Sequence, residues 1–169
     1  MRELKIPKAR VAVLIGTKGT TKRFLEKKLG VKLTISTDGD IMLEGPELKT
    51  FLAEPVVKAV GRGFNPKVAV NLANEAYRFE LLDIQHFTGK SKKNFVRIKA
   101  RMIGTGGKAR KTIEILTRTD IIIYGKTVGI IGKVEDALIA RAAVEKLLGG
   151  APHGNVYKYI EEEIKKKRW

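Results

Sequence analysis

The sequence predicts an α+β fold in which one β-α-α-β-β-α unit is built twice in tandem, joined by a short helical connector. Three observations predict it. First, the chain aligns with itself: Ile15-Gly16-Thr17-Lys18-Gly19 matches Ile103-Gly104-Thr105-Gly106-Gly107. The match runs on without a gap through Lys22/Arg110, Arg23/Lys111, Leu25/Ile113, Glu26/Glu114, Leu33/Ile121 and Ile35/Ile123. One gap later Ile41 to Gly45 meets Val128 to Gly132. Second, apolar residues in each copy alternate between strand and helix spacing. Third, 169 residues fit one large domain or two small ones, and 43% apolar content suffices for a packed core.

The elements follow in chain order. Leu4 and Ile6 alternate with polar residues in a short strand ending at Pro7. Val11, Leu14 and Ile15 stand at helical spacing up to Gly16, and Phe24, Leu25 and Leu29 form the stripe of the next helix. Gly30 occupies its C-cap region. Val31, Leu33 and Ile35 make a half-buried strand, Thr37-Asp38-Gly39-Asp40 turns the chain, and Ile41-Met42-Leu43 returns. Pro46 suits the first turn of the following helix, whose apolar positions include Leu48, Phe51 and Leu52.

In the second copy Phe79, Leu81 and Asp83 open as a strand, and a basic helix runs from about Lys92 to Met102. After Gly104 to Gly107 come a helix over Ala109 to Leu116 and a hairpin from Asp120 to Ile131 turning at Gly125-Lys126. An amphipathic helix then runs to Leu148. Between the copies, Gly61-Arg62-Gly63-Phe64 breaks the chain, and Asn65-Pro66 starts a connector helix with Asn as N-cap. Beyond Gly149-Gly150-Ala151-Pro152 the tail reads as a solvated helix pairing Glu161, Glu162 and Glu163 with Lys165, Lys166 and Lys167. Each such pair is worth roughly 0.2–0.5 kcal/mol. The expected division is 1–60 for the first module, 61–76 for the connector, 77–150 for the second module and 151–169 for the tail.

Charge points to a polyanion. Lys plus Arg is 34 against 18 Asp plus Glu, a formal charge of +16. From Asp83 to Glu114 no acidic residue intervenes, yet nine Lys and Arg residues lie between Lys90 and Lys111. A solvated face mixes signs, so this stretch reads as a binding surface. Cys is absent, which excludes disulfides and thiolate metal sites, and His86 and His153 alone make no metal cluster. No apolar run approaches a membrane span and the N-terminus lacks a signal-type core, so a soluble, cytoplasmic protein is expected.

The helix-GxxG-helix turn gives that surface its chemistry. Glycines let a sugar-phosphate backbone approach the main chain. The following helix offers unpaired N–H groups and the positive end of its dipole at the same place. The expected RNA-binding residues are Gly16, Thr17, Lys18, Gly19, Lys22 and Arg23 in the first copy. In the second they are Gly104, Thr105, Gly106, Gly107, Lys108, Arg110 and Lys111. One GxxG alone is a weak signal; two in the same element order on a basic chain point to single-stranded RNA.

On these loops each unit resembles a type I KH domain, in which the GxxG loop clamps about four nucleotides of backbone. The whole chain further resembles the archaeal Krr-type, partner-of-Nob family of small-subunit ribosome assembly factors. That likeness is carried by Gly61-Arg62-Gly63-Phe64-Asn65-Pro66, Gly125-Lys126-Thr127-Val128 and Gly149 to Tyr157. It implies binding near the 3′ end of small-subunit rRNA and cooperation with the Nob endonuclease. The second loop departs from the first: it has Gly106 where the first has Lys18, and Lys108 follows directly.

Other chemistries fit less well. Gly104 to Ala109 matches G-x-G-x-x-A but follows a basic helix rather than a strand, and Gly-Lys pairs at residues 89, 107 and 125 lack the P-loop's earlier glycine. No nucleophile and base pair stands out, so no catalytic residue, metal or cofactor is expected. His153 reads as a loop-structuring or RNA-stacking residue and His86 as a packing one. Two functions compete with RNA binding in ribosome assembly. A protein-interaction scaffold would join RNA to a Nob-type nuclease or a translation initiation factor, and an exposed apolar patch near Phe64 or Trp169 would favour it. A processing enzyme would need a carboxylate cluster for metal.

Overall fold

The computed structural model describes residues 1–168 and divides them into two compact units, 1–77 and 78–168. The first unit begins with β1 (Arg2–Lys5), a single 3-10 turn and α1 (Val11–Ile15). Across the loop follow α2 (Thr20–Leu29), the hairpin β2 (Lys32–Ile35) and β3 (Asp40–Glu44), α3 (Glu47–Gly61) and α4 (Pro66–Ala69). The sheet order is β1-β3-β2, both pairs antiparallel, so β2 is an edge strand beside α2.

The second unit repeats this order. It consists of β4 (Tyr77–Asp83), α5 (Gln85–Thr88), α6 (Lys92–Ile103), α7 (Lys108–Thr117), β5 (Asp120–Tyr124), β6 (Thr127–Lys133), α8 (Val134–Leu148) and α9 (His153–Arg168). Its sheet order is β4-β6-β5. The hairpin registers coincide with the internal alignment. Leu33 faces Leu43 and Ile35 faces Ile41 in the first; Ile121 faces Ile130 and Ile123 faces Val128 in the second. Because strand side chains alternate, a one-residue slip would have reversed both faces.

Each unit buries its own apolar set. Leu14, Leu25, Leu33, Ile41 and Leu43 are buried in the first; Met102, Ile113, Ile121, Val128 and Ile130 hold aligned elements in the second. Asn65 caps α4 by accepting the Lys67 N–H at 2.9 Å, as the Asn-Pro pair predicts. The segment 61–76 lies within the first unit, where α4 and the turn after it pack on α3.

Several sequence expectations give way. Pro46 is the N-cap of α3, at ψ 143°, and not a first-turn residue. Leu48 and Phe51 face solvent at 65% and 57% exposure, while Thr50, Ala53, Val56, Val57 and Val60 form the buried face. Small and β-branched residues allow the close approach to the sheet that larger side chains would block. In β4 the buried residues are Glu80 and Leu82, so Leu81 points outward. Glu80 is tolerated there because Arg78 and Arg141 meet its two carboxylate oxygens at 2.7 and 2.6 Å.

The tail is the largest difference. Val156 and Ile160 are buried in the second core, and α9 packs on α7 and α8. The expected Glu161–Lys165 ladder does not form; Glu163 pairs with Lys166 at 3.2 Å, and Lys167 reaches Glu135 and Asp136 at the start of α8. Phe64 is buried, so no patch forms around it. Trp169 lies outside the described residues.

Candidate nucleic-acid interface

The two loops have the same backbone. Gly16 and Gly104 sit at φ 75°, ψ 173° and φ 78°, ψ 169°. Lys18 and Gly106 follow at φ 53°, ψ 30° and φ 62°, ψ 22°, then Gly19 and Gly107 at φ 74°, ψ 16° and φ 79°, ψ 12°. In each, the last glycine's N–H donates to the first glycine's carbonyl, at 3.2 and 3.1 Å. Three left-handed residues in four turn the chain sharply from one helix into the next and aim the first turn of α2 or α7 at the loop.

The glycines serve two purposes, only one of which was expected. A Cβ on Gly16 would lie 2.3 Å from Thr21 Oγ1, and one on Gly104 would lie 2.5 Å from the Ala109 nitrogen. The first glycine of each loop therefore makes room for the following helix, not for a ligand. Gly106 has no atom near its missing Cβ, so open space lies above the second loop. That is the position where a phosphate can approach the main chain.

The predicted basic residues divide in the same way. Thr17 and Lys18 are exposed at the tip of the first loop, and Arg23 donates to the Lys18 carbonyl at 2.9 Å, bracing it. Lys22 is half-buried. In the second unit Thr105, Gly106, Lys108 and Lys111 are exposed. Arg110 instead spans Glu114 at 2.6 Å and the Ile121 carbonyl at 3.3 Å, which makes it part of the scaffold. A spacing of four residues to Glu114 was the available signal for that role.

A member of the basic run that was not among the expected contact residues closes the other side. Lys99 on α6 donates to the Gly125 carbonyl at 2.8 Å in the β5–β6 turn. The loop, α7, edge strand β5 and this turn thus border one surface of the second unit. His153 takes the first of its two expected roles, structuring a junction with its Nε2 3.0 Å from the Arg101 carbonyl, whereas His86 is exposed and meets the edge of Phe87 at 5.2 Å. Among the described residues no group of three or more His, Asp or Glu could hold a metal, and no helix is long and apolar enough to cross a membrane.

A sheet with two helices joined by a GxxG turn, and a basic rim around it, defines a nucleic-acid-binding module of the KH class. The match to known families agrees: residues 78–165 fit the eukaryotic-type, type I KH-domain family drawn from the second such domain of PNO1. That span is more than half of the chain, and the chain belongs to this family of PNO1/Dim2-type KH proteins. The first unit lies outside the matched span.

A KH domain-containing protein of Methanocaldococcus jannaschii is 45% identical over 168 residues, covering 96% of this chain and 74% of that protein. The pre-rRNA-processing protein pno1 of Aspergillus fumigatus is 32% identical over 108 residues, 62% of this chain. The match spans 42% of that relative's length. Among solved structures, the complex of a/eIF2alpha, aDim2p and rRNA from Pyrococcus horikoshii contains a chain with TM-score 0.89 and 38% identity. The likeness covers 98% of this chain and 94% of that one.

Proposed function

We propose that the chain is a single-stranded RNA-binding protein of small-subunit ribosome assembly, made of two tandem type I KH modules, each gripping the RNA backbone at its GxxG loop. The observation that carries this reading is the identity of the two loop backbones, 88 residues apart, each at the head of a helix that follows a β-α start and precedes a hairpin. The modules are 1–60 and 77–150, with 61–76 as connector and 151–169 as the tail. Their contact residues are Gly16, Thr17, Lys18, Gly19, Lys22 and Arg23, then Gly104, Thr105, Gly106, Gly107, Lys108 and Lys111. Arg110 acts by holding Glu114. Two modules on one chain raise affinity through effective concentration.

The target is the region near the 3′ end of small-subunit rRNA. Pre-rRNA-processing and rRNA-bound relatives support it, as does the uniformly basic run through α6. The role is binding rather than catalysis, carried out in the cytoplasm. The test is fluorescence anisotropy with a short RNA from that 3′ end, beside scrambled RNA and duplex DNA. Cognate preference that disappears when Thr17-Lys18 and Thr105-Gly106 are both replaced by Asp-Asp is expected. Equal binding to all three nucleic acids would overturn it.

A second reading, docking of a protein such as a translation initiation factor or a Nob-type nuclease, is favoured by Leu48 and Phe51. Both are exposed on α3, with the Arg2 guanidinium 5.1 Å from the Phe51 ring centre.

A further inference from the structure

Behind the second GxxG loop, on the face of α6 away from Lys99 and the β5–β6 turn, lies a hollow of about 520 Å³ between α6, the head of α7 and α9. Its walls carry Arg97, Arg101, Lys108, His153 and Tyr157, with Thr105 at the rim and no carboxylate. One of these charges is fixed in place. Arg101 donates to the Leu147 and Ala151 carbonyls at 3.1 and 2.7 Å, and the His153 ring is held against the Arg101 carbonyl. The Tyr157 ring stands 6.3 Å from the imidazole, tilted by 54°. Arg97 and Lys108 are exposed and make no ion pair or side-chain hydrogen bond among the described residues.

In the first unit the hollow at the head of α2 lies against α4 alone, is about half as large, near 260 Å³, and has Lys67 as its one cationic wall. The difference arises from sequence. Ala9 and Val13 stand where the alignment puts Arg97 and Arg101, and Thr20 stands opposite Lys108. In the place of α9 the first unit has the four-residue α4, which carries no aromatic residue, so the aromatic wall is missing there.

We propose that this hollow is a second RNA subsite, which takes the phosphate and base of the nucleotide that leaves the Gly104–Gly107 clamp. The inference rests on the reading of that loop as a clamp. Unpaired cations beside a concave wall attract a phosphate. An aromatic ring with its edge anchored offers a base a stacking surface without reading its sequence. The loop's rim residue Thr105 is common to clamp and hollow, so a strand held at one passes directly into the other. The second module therefore holds a longer stretch of RNA than the first.

The experiment uses the full chain carrying Thr17→Asp and Lys18→Asp, so that the first loop does not contribute. Affinity is measured for a tetranucleotide and for the same RNA with two nucleotides added at its 5′ or its 3′ end. Extension at one end is expected to tighten binding about tenfold, one charge-assisted contact. With Arg97→Gln that gain falls to about twofold or less while tetranucleotide affinity holds. Tyr157→Leu, which retains bulk against the core, is expected to reduce it too. No gain at either end, or an undiminished gain in Arg97→Gln, overturns the subsite. Failure of the tetranucleotide to bind, with an Arg97-dependent gain on the longer RNA, overturns the clamp and leaves the subsite. Failure of every RNA to bind overturns both.

Discussion

Glu26 and Glu114 make the same hydrogen bond in the two units: their Oε2 atoms accept the backbone N–H of Leu33 at 3.0 Å and of Ile121 at 2.8 Å. Each ties the helix after the GxxG loop to the edge strand beside it, and so sets the width of the surface between them. In the second unit Glu114 also anchors Arg110 through Oε1. Replacing Glu114 by Ala leaves a partly buried N–H unpaired and frees Arg110. A loss of about 1–3 kcal/mol in denaturant-measured stability is expected. Glu114→Gln, which can still accept, is expected to lose less; equal losses would rule out the N–H contact as the cause.

Gly30 and Arg118 end the equivalent helices in the same left-handed conformation, at φ 67° and φ 58°. Glycine is at ease there; arginine is not, because its Cβ crowds the carbonyl. Arg118→Gly is expected to stabilise the second unit by about 1 kcal/mol, since relief of that crowding outweighs the added freedom of the unfolded chain. A lower thermal midpoint in this variant would contradict that.

The same comparison shows what the sequence could and could not reveal. Loops, hairpins and strand registers were legible because glycine spacing and two-residue alternation leave few alternatives, and because each was written twice. The face of α3 was not. Leu48 and Phe51 outweigh Thr50, Ala53 and Val57 on any hydrophobicity count, but the sheet selects residues small enough to pack closely. Nor was the docking of α9, where Val156 and Ile160 lie four residues apart ahead of a charged run that reads as solvated. In the site, charge alone did not separate Lys111, exposed to solvent, from Arg110, engaged by Glu114.

Acid should loosen the first unit through Glu54. Its carboxylate accepts from Lys58 at 2.9 Å and from Arg2 at 2.9 Å. The Lys58 hydrogen bond, aided by the charges of Lys58 and Arg2, holds its pKa below the ordinary carboxylate value against the opposing effect of burial. A pKa lower in the folded than in the unfolded chain stabilises at pH above the unfolded value. That contribution is lost as pH falls through the folded one. Glu54→Gln is accordingly expected to lower stability by about 0.2–1 kcal/mol at neutral pH, the range for a partly exposed pair. The difference from wild type should close in acid. A difference that is constant with pH would assign the effect to packing.

Lys18 shows that a lysine can occupy the left-handed position of a GxxG loop, where the second loop has Gly106. Gly106→Lys should therefore fold, at a cost of about 1–2 kcal/mol for the left-handed side chain, and its Cβ meets nothing within 4 Å. It places a cation at the open tip of the second clamp. RNA affinity is expected to rise several-fold at low salt. The plot of log K against log salt should steepen by about 0.7, one more phosphate neutralised on a single strand. Gly104→Ala, in contrast, pushes a Cβ against Ala109 and should weaken RNA binding by disturbing the α6–α7 junction, visible as lost stability without RNA. If Gly106→Lys folds yet leaves both affinity and slope unchanged, the phosphate does not pass over this loop.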